Sequence, residues 1–389
     1  MKFGMRAACV VSAAFVAASC SQSNPSLSHN SPSGGGSSGN GQTRTYFVAA
    51  DEVVWDYAPS GMNQAEGRPF DDVEKKFMEA GPHVIGRKAK KALYREYTDG
   101  TFTALKPRPT GWDHLGFLGP LLRAEVGDTI VVVFKNNARF PASVHPHGVF
   151  YNKDSEGALY NDGTNGTDKA DDGVPPGKTH TYTWPVPERA GPSEHEGSSV
   201  FWMYHSHVDE IRDVASGLLG PMIVTRRGMA RPDGSPTDID RELVAGFVEV
   251  DENHSWYVQD NVREYAKDPK GVKIGPGPFA SQVVMPDFDA YFRETINGFS
   301  YSHTPGLTMK VGDRVRWYVM ASTNFEMHAP HWHGNVVTSN HMRTDVGLLL
   351  PMGMFVADMS PDNPGTWFFH CHVSNHLRMG MQATYIVTK

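Results

Sequence analysis

Near its carboxyl terminus the chain reads His370-Cys371-His372, then His376, then Met381. Successive side chains of an extended strand point to opposite faces. Cys371 would then point one way and His370 and His372 the other, so one segment would serve two separate sites. A thiolate, imidazoles and a weakly held thioether form the ligand set of a blue-copper electron-transfer centre. Cys371, His376 and Met381 supply this set except for one imidazole.

The missing imidazole lies upstream, in His328-Ala329-Pro330-His331-Trp332-His333-Gly334. On a strand His331 and His333 share a face and His328 takes the other, the same division of one residue against two. His145-Pro146-His147-Gly148 and His205-Ser206-His207 add two more i, i+2 pairs. The four pairs 145/147, 205/207, 331/333 and 370/372 offer eight imidazoles. That is too many for one mononuclear centre and suits three coppers ligated two, three and three. A lone His-x-His is usually a surface pair, and His-Cys-His alone could be a zinc fragment. Four such pairs with a matching Cys, His and Met are a far more specific signal. Of the 18 histidines, His29, His83, His114, His180, His195, His254, His303 and His341 stand outside these motifs. They read as structural or solvated.

The chain has three cysteines, Cys9, Cys20 and Cys371. Residues 1–20 have a short basic start, a small apolar run from Ala7 to Ala18, and Ala17-Ala18-Ser19-Cys20. The run suits a signal peptide and is too short to span a bilayer. Its end resembles a bacterial lipoprotein cleavage box, with Ala17 where Leu is more usual. The expectation is an exported protein of the periplasm or cell envelope, lipid-anchored at Cys20. The plainer alternative is a signal peptide cleaved nearby. Residues 21–43 are a flexible Ser/Gly-rich tether. Beyond it Cys371 is the only cysteine, so no intrachain disulfide can form. No later hydrophobic run reaches membrane length, so membrane contact is expected only through the lipid. A net charge of -7 suggests no nucleic-acid partner.

Short β-branched and aromatic runs, such as 129–134 and 314–319, alternate with turn signals, and Gly and Pro number 39 and 27. This predicts an all-β chain of tandem β-sandwiches. An internal repeat divides it. Val126-Gly127-Asp128 recurs as Val311-Gly312-Asp313, each followed by a strand run and then a His pair with its glycine. The division predicts domain 1 over 44–228, a linker over 229–240 and domain 2 over 241–389. Aligned, Ala142 stands where the second half has His328, Ser206 where it has Cys371, and Leu218 where it has Met381. Only domain 2 can hold blue copper, yet each half keeps four cluster imidazoles. A cluster divided evenly between halves belongs at a domain interface.

Reducing dioxygen to water without releasing partly reduced oxygen takes four electrons, and one feeder copper plus three clustered coppers store four. Cys371 lies between His370 and His372, so the covalent path from feeder to cluster is only a few bonds long. The four motifs resemble those of multicopper oxidases. The surrounding stretches 91–94, 115–120, 156–158, 204–207, 215–221, 251–257 and 297–299 are most similar to the ceruloplasmin-like, A-domain type. The likeness covers nearly everything after the tether. It implies two cupredoxin-like Greek-key domains and four Cu ions per chain. The type 1 ligands would be His328, Cys371, His376 and Met381, and the type 2 ligands His145 and His331. His147, His205 and His372 would hold one type 3 copper, and His207, His333 and His370 the other. By the same resemblance Glu156 would relay protons, and Asp168, Asp171 and Asp172 with the Lys153 carbonyl would form a calcium site. Ceruloplasmin-like proteins arrange six such domains in a ring. Three copies of a two-domain chain could rebuild it, which implies a homotrimer with clusters between subunits, the alternative being a monomer with an internal interface.

The partners so implied are O2 and a small reducing substrate: Fe(II), Cu(I) or a phenol, as for a ferroxidase or a laccase. Asp289 and Glu294 fall where the family holds ferrous iron, but Asn375 stands before His376 where ferroxidase members carry Asp. Met352, Met354 and Met359 are soft ligands that could guide cuprous ions, although such methionines more often pack a core. Rival readings are a non-enzymatic copper-binding or copper-resistance protein, which needs no feeder site, and a two-domain copper nitrite reductase. The latter would place its blue site in the first domain, where Ala142 and Ser206 forbid one. A third rival, an inert structural A-domain, would be expected to lack ligands, and this chain lacks none.

Overall fold

The computed structural model describes residues 41–276, 281–283, 288–322 and 326–389. The signal-like segment with Cys20, and all but the end of the tether, lie outside the described residues. No helix among the described residues is long and apolar enough to cross a membrane.

The first half builds two four-stranded sheets. Its strands are β1 (Thr43–Asp56), β2 (Lys88–Tyr97), β3 (Leu122–Glu125), β4 (Thr129–Asn136), β5 (His145–Pro146), β6 (Thr179–Pro185), β7 (Ser199–His205) and β8 (Leu219–Thr225). Their orders are β2-β1-β4-β6 and β3-β8-β7-β5. The second half repeats the plan with β9 (Arg241–Asp251), β10 (Phe292–Ile296), β11 (Thr308–Lys310), β12 (Val315–Ala321), β13 (Pro330–Trp332), β14 (Val337–Ser339), β15 (Met342–Thr344), β16 (Met354–Met359), β17 (Gly365–Cys371) and β18 (Gln382–Thr388). Here the orders are β10-β9-β12-β16-β14-β15 and β11-β18-β17-β13. In both halves the chain-entry strand runs parallel to its inner neighbour, β1 to β4 and β9 to β12. The protein is all-β, with two tandem cupredoxin-like sandwiches.

The residue pattern explains the layers. In β4 Ile130, Val132 and Phe134 face inward while their neighbours are half-exposed, the alternation of a sheet with one wet face. In β9 nearly every residue is buried. Leu243, Ala245 and Phe247 fill the second sandwich. Val244, Val248 and Val250 point the other way, into a separate core shared with Phe201, Met203 and Ile223 of the first half. The internal boundary between halves is therefore an apolar layer. Polar pins fix its register: Arg123 donates to both carboxylate oxygens of Glu242 at 3.1 and 2.8 Å. Buried His114 accepts from the Val244 N–H at 3.1 Å through Nε2 and lies 3.1 Å from the Gly111 carbonyl through Nδ1. Burial and the Arg241 charge hold its pKa down at about 3, so the ring is neutral.

Between β1 and β2 the chain makes an excursion over 57–87 that includes the short helix α1 (Glu74–Met78). Its Ala58, Phe70, Phe77 and Met78 pack with Tyr301, and Met379 of the second half lies against them.

Candidate metal centres

β17 ends at Cys371, and the chain turns through helix α2 (Ser374–Arg378) before β18. This turn returns His376 and Met381 to the cysteine side. His328, Cys371, His376 and Met381 are all buried. The Nδ1 atoms of His328 and His376 lie 3.1 Å apart, and Cys371 Sγ is 3.9 and 3.6 Å from them. With metal–nitrogen bonds near 2.0 Å and metal–sulfur bonds near 2.3 Å, donors on one ion sit about 3–4 Å apart. The spacing therefore fits a single ion. The Ala329 N–H donates to Sγ at 3.3 Å, the kind of hydrogen bond that tunes such a sulfur. Burial pushes the Cys371 thiol up and drives the His328 pKa down to about 3. A bound cation would reverse the first effect, while the second already favours the neutral imidazole that ligates metal.

The first half shows the same backbone with different side chains. The Ser143 N–H donates to Ser206 Oγ at 3.0 Å, as the Ala329 N–H does to Cys371 Sγ. Ser206 N–H donates to the Leu218 carbonyl, as Cys371 N–H does to that of Met381. Where the second half has a metal-binding group, the first has a buried hydrogen-bond knot. Asp213 accepts from Ser206 Oγ at 2.6 Å and from Trp256 Nε1 at 2.8 Å. Burial outweighs these bonds and raises its carboxyl pKa to about 6. A raised folded-state pKa means the folded protein holds the proton more tightly. This contribution is fully present below about pH 4 and is lost as pH rises from about 4 to about 6, on the order of 3 kcal/mol. Thermal denaturation of the metal-free protein across that range should show the fall, and Asp213→Asn should flatten it. An unchanged slope in the variant would assign the pH dependence to other groups.

The cluster histidines form two groups of four. His147 and His205 bring Nε2 atoms to 3.1 Å, and the His145 ring lies 5.2–5.7 Å from those of His147, His205 and His207. In the second half His370 Nε2 lies 3.0 Å from His333 Nε2 and 3.3 Å from His331 Nδ1, and the His331 and His372 rings are 5.1 Å apart. These are again the separations of ligands on shared ions. Carbonyl partners at Nδ1 leave Nε2 for metal: Glu156 at 2.6 Å for His145, Ser206 at 3.0 Å for His205 and Cys371 at 2.8 Å for His370. Burial lowers the pKa of His147 and His370 to about 4. The glycine after each leading pair is required by packing. Gly148 and Gly334 have positive φ, and a Cβ on either would stand 2.3 Å from the ring of Trp202 or Trp367.

Every hydrogen bond and ring contact that these eight imidazoles make with one another stays within its own group of four, among the described residues. The apolar layer between the halves contains neither group. Large apolar side chains remain exposed on the segments beside each group: Phe150 and Leu159 by the first, Val336, Leu348 and Leu350 by the second.

The other expected residues fall differently. The Glu156 carboxylate is paired with Lys153 at 2.5 Å and bonded by Tyr160, while its carbonyl, not its carboxylate, touches His145. In the acidic loop Asp168 is exposed, and Asp172 is paired with Lys169. Asp171 has a buried Oδ1 without a partner, and the Lys153 ammonium engages Asp162. Met359 is buried in the second sandwich, and Met352 and Met354 lie against the shared layer.

Glu294 reaches His376 and Asp289 does not. Asp289 is exposed, with no bond to Glu294 or His376 among the described residues. Glu294 instead stands directly across the β9–β10 ladder from Glu249. Carboxylate oxygens of these two and a nitrogen of His376 all lie within 4.8 Å of one another. Glu326 binds His376 Nε2 at 2.9 Å. Among the described residues, Glu294 Oε2 is buried without a partner. Burial, then the charges of Glu249 and Glu326, push its carboxyl well above the usual range. Sequence reasoning missed Glu249 and Glu326. The available signal was Glu249 itself, a charge between Val248 and Val250 in a strand apolar on both faces.

Multicopper oxidase sequence models match residues 114–228 and 276–389. The chain is 44% identical over 349 residues to human ferroxidase HEPHL1, covering 89% of this chain and 29% of that protein. Human hephaestin is 41% identical over 89% of this chain, and human ceruloplasmin 38% over 88%, covering 29% and 31% of those proteins. The chain thus spans about a third of the length of these relatives. Among solved structures, a blue copper oxidase from Nitrosomonas europaea superposes with a TM-score of 0.54 at 18% identity, covering 89% of this chain and 86% of that one. A copper nitrite reductase from the same organism gives 0.55 at 16%, covering 90% and 95%. At such identities these two speak for the fold alone. With the repeated sandwich, the two-sided His-Cys-His strand and the paired histidine groups, these matches make the chain a member of the multicopper oxidase family, of the ceruloplasmin-like kind.

Proposed function

We propose that this chain is an oxidase that couples one-electron oxidation of a small donor, ferrous iron foremost, to the four-electron reduction of O2 to water. The observation that carries this is β17, whose Cys371 faces His328, His376 and Met381 while His370 and His372 face the other histidines. His328, Cys371, His376 and Met381 would hold a type 1 copper. His145 and His331 would hold a type 2 copper, and His147, His205, His207, His333, His370 and His372 a type 3 pair. When bound, copper supplies one-electron transfer at the first site and multielectron oxygen chemistry at the cluster. Burial keeps His147, His328 and His370 neutral, carbonyls at Nδ1 orient His145, His205 and His370, and the fold buries the sulfur away from water.

Each group of four histidines is half of the expected cluster, and among the described residues no contact joins the two groups. We therefore take the cluster to form where the first half of one copy meets the second half of another. The exposed apolar side chains beside each group support such a head-to-tail contact, which closes as a ring, here a homotrimer. Export and lipid anchoring at Cys20 belong to the same proposal on sequence grounds. So does calcium at the acidic loop, supported by the unpartnered Asp171 oxygen.

Ferrous iron is favoured as donor by Glu249 and Glu294. Two carboxylates opposed across a ladder and buried, one with an oxygen that nothing bonds, are costly without a cation between them. Hard oxygen ligands favour ferric over ferrous iron, which eases loss of the electron. The Glu326–His376 bond then links this site to the copper ligand. Glu249→Gln/Glu294→Gln should lower kcat/KM for ferrous iron by about tenfold or more, while turnover of a phenolic donor changes less than about twofold. An equal loss for both donors would remove the iron assignment.

A further inference from the structure

Two of the four type 1 donors, His376 and Met381, sit on one short segment, and an element foreign to the sandwich holds that segment. Helix α2 has five residues, too few to persist by itself. Its last residue, Arg378, donates to Glu74 Oε1 at 3.0 Å and to Asp71 Oδ2 at 2.6 Å, both in the 57–87 excursion. Glu74 is fully buried and already fixed. It accepts from Arg68 at 2.8 and 2.9 Å, from Asn63 Nδ2 at 2.9 Å and from the Asp71 N–H at 2.9 Å. Asp71 in turn accepts from the Val73 and Glu74 N–H groups at the start of α1. The anchor is thus preorganised, and Arg378 docks onto it.

The far end of the segment is held as firmly. Tyr301 N–H donates to the Gly380 carbonyl at 2.8 Å and Ser302 N–H to that of Gln382 at 2.9 Å. Tyr301 and Ser302 have φ of 54° and 62°, two consecutive left-handed residues without the freedom of glycine. Such a pair persists only where its surroundings enforce it. Tyr301 packs against Phe70 of the excursion, with ring centroids 5.3 Å apart, and Met379 lies on the same cluster.

We propose that the Glu74/Asp71–Arg378 clamp is a positioning device, by which the 57–87 excursion sets where His376 and Met381 stand around the type 1 site. Arg378 and Glu74 are positioning residues and touch neither donor nor metal. The inference rests on the type 1 assignment of the preceding section.

The test uses the full chain with Arg378→Gln and Arg378→Lys. In the metal-free protein, amide hydrogen exchange over 374–382 should quicken about tenfold or more in Arg378→Gln, with the melting temperature little changed. In the copper-loaded protein the same variant should shift the visible band and paramagnetic spectrum and alter the reduction potential. Arg378→Lys, which keeps a charge for one carboxylate, should restore most of each. Unchanged exchange, spectrum and potential in Arg378→Gln would overturn the clamp, as would a uniform loss of stability with normal spectra. A wild-type protein that binds copper without blue absorbance would instead remove the type 1 assignment, and the metal-free exchange would still decide whether the clamp holds the segment.

Discussion

Cys371→Ser should lose the blue absorbance and donor oxidation together, with the fold intact. In the proposed type 1 site the thiolate would supply the intense visible band and the short covalent route to His370 and His372. A hydroxyl is a poor substitute for a soft sulfur ligand. Copper content should fall from about four ions per chain to about three, and turnover by at least about a thousandfold. Survival of the fold is argued from the first half, where Ser206 occupies the same backbone position and accepts from the Ser143 N–H at 3.0 Å. Metal analysis, visible spectroscopy and oxygen uptake on one preparation check all three. Oxidase activity in a colourless variant would show that electrons enter elsewhere.

The second large effect is recovery of activity from two dead proteins. If each cluster joins the first half of one copy to the second half of its neighbour, His145→Ala/His147→Ala and His331→Ala/His333→Ala should each be inactive alone. Unfolded and refolded together, or co-expressed, they should regain activity. An interface is intact only when the first variant gives its second half and the second variant gives its first half. Random mixing makes that about one interface in four, so about a quarter of wild-type activity should return. Were each cluster built within one chain, mixing would return none. Measuring oxygen uptake against mixing ratio separates the cases, since the recovered fraction should peak at equal amounts.

The fold was legible because its signals are local. The repeated Val-Gly-Asp turns at 126–128 and 311–313 each lead into a strand of the predicted kind. His370 and Cys371 end strand β17, where His370 pairs with both β13 and β18, and His372 follows just beyond the strand with its N–H on the Ala329 carbonyl. The ligand inventory was legible for the same reason, since an i, i+2 pair on a strand faces one way wherever the strand goes. Residues whose roles depend on what packs against them were not legible. Asp289 and Glu294 look alike in the sequence, but only Glu294 lies on the buried ladder opposite Glu249. Glu156 is near the first histidine group, yet Lys153 takes its carboxylate and His145 meets its carbonyl.

By itself the sequence determined the chemistry available: one thiolate with its thioether, eight imidazoles in four matched pairs with His328 and His376 besides, and their division between two halves. Alternation along a strand is a property of the backbone and needs no knowledge of the partner. Only the tertiary structure decided that the boundary between the halves is an apolar layer that contains neither group of four histidines, among the described residues. Only it brought Glu249, Glu294 and Glu326 to His376 and locked α2 to the excursion through Arg378. Those outcomes depend on which surfaces bury each other across tens to hundreds of residues, and such distant packing leaves no periodic mark in the chain.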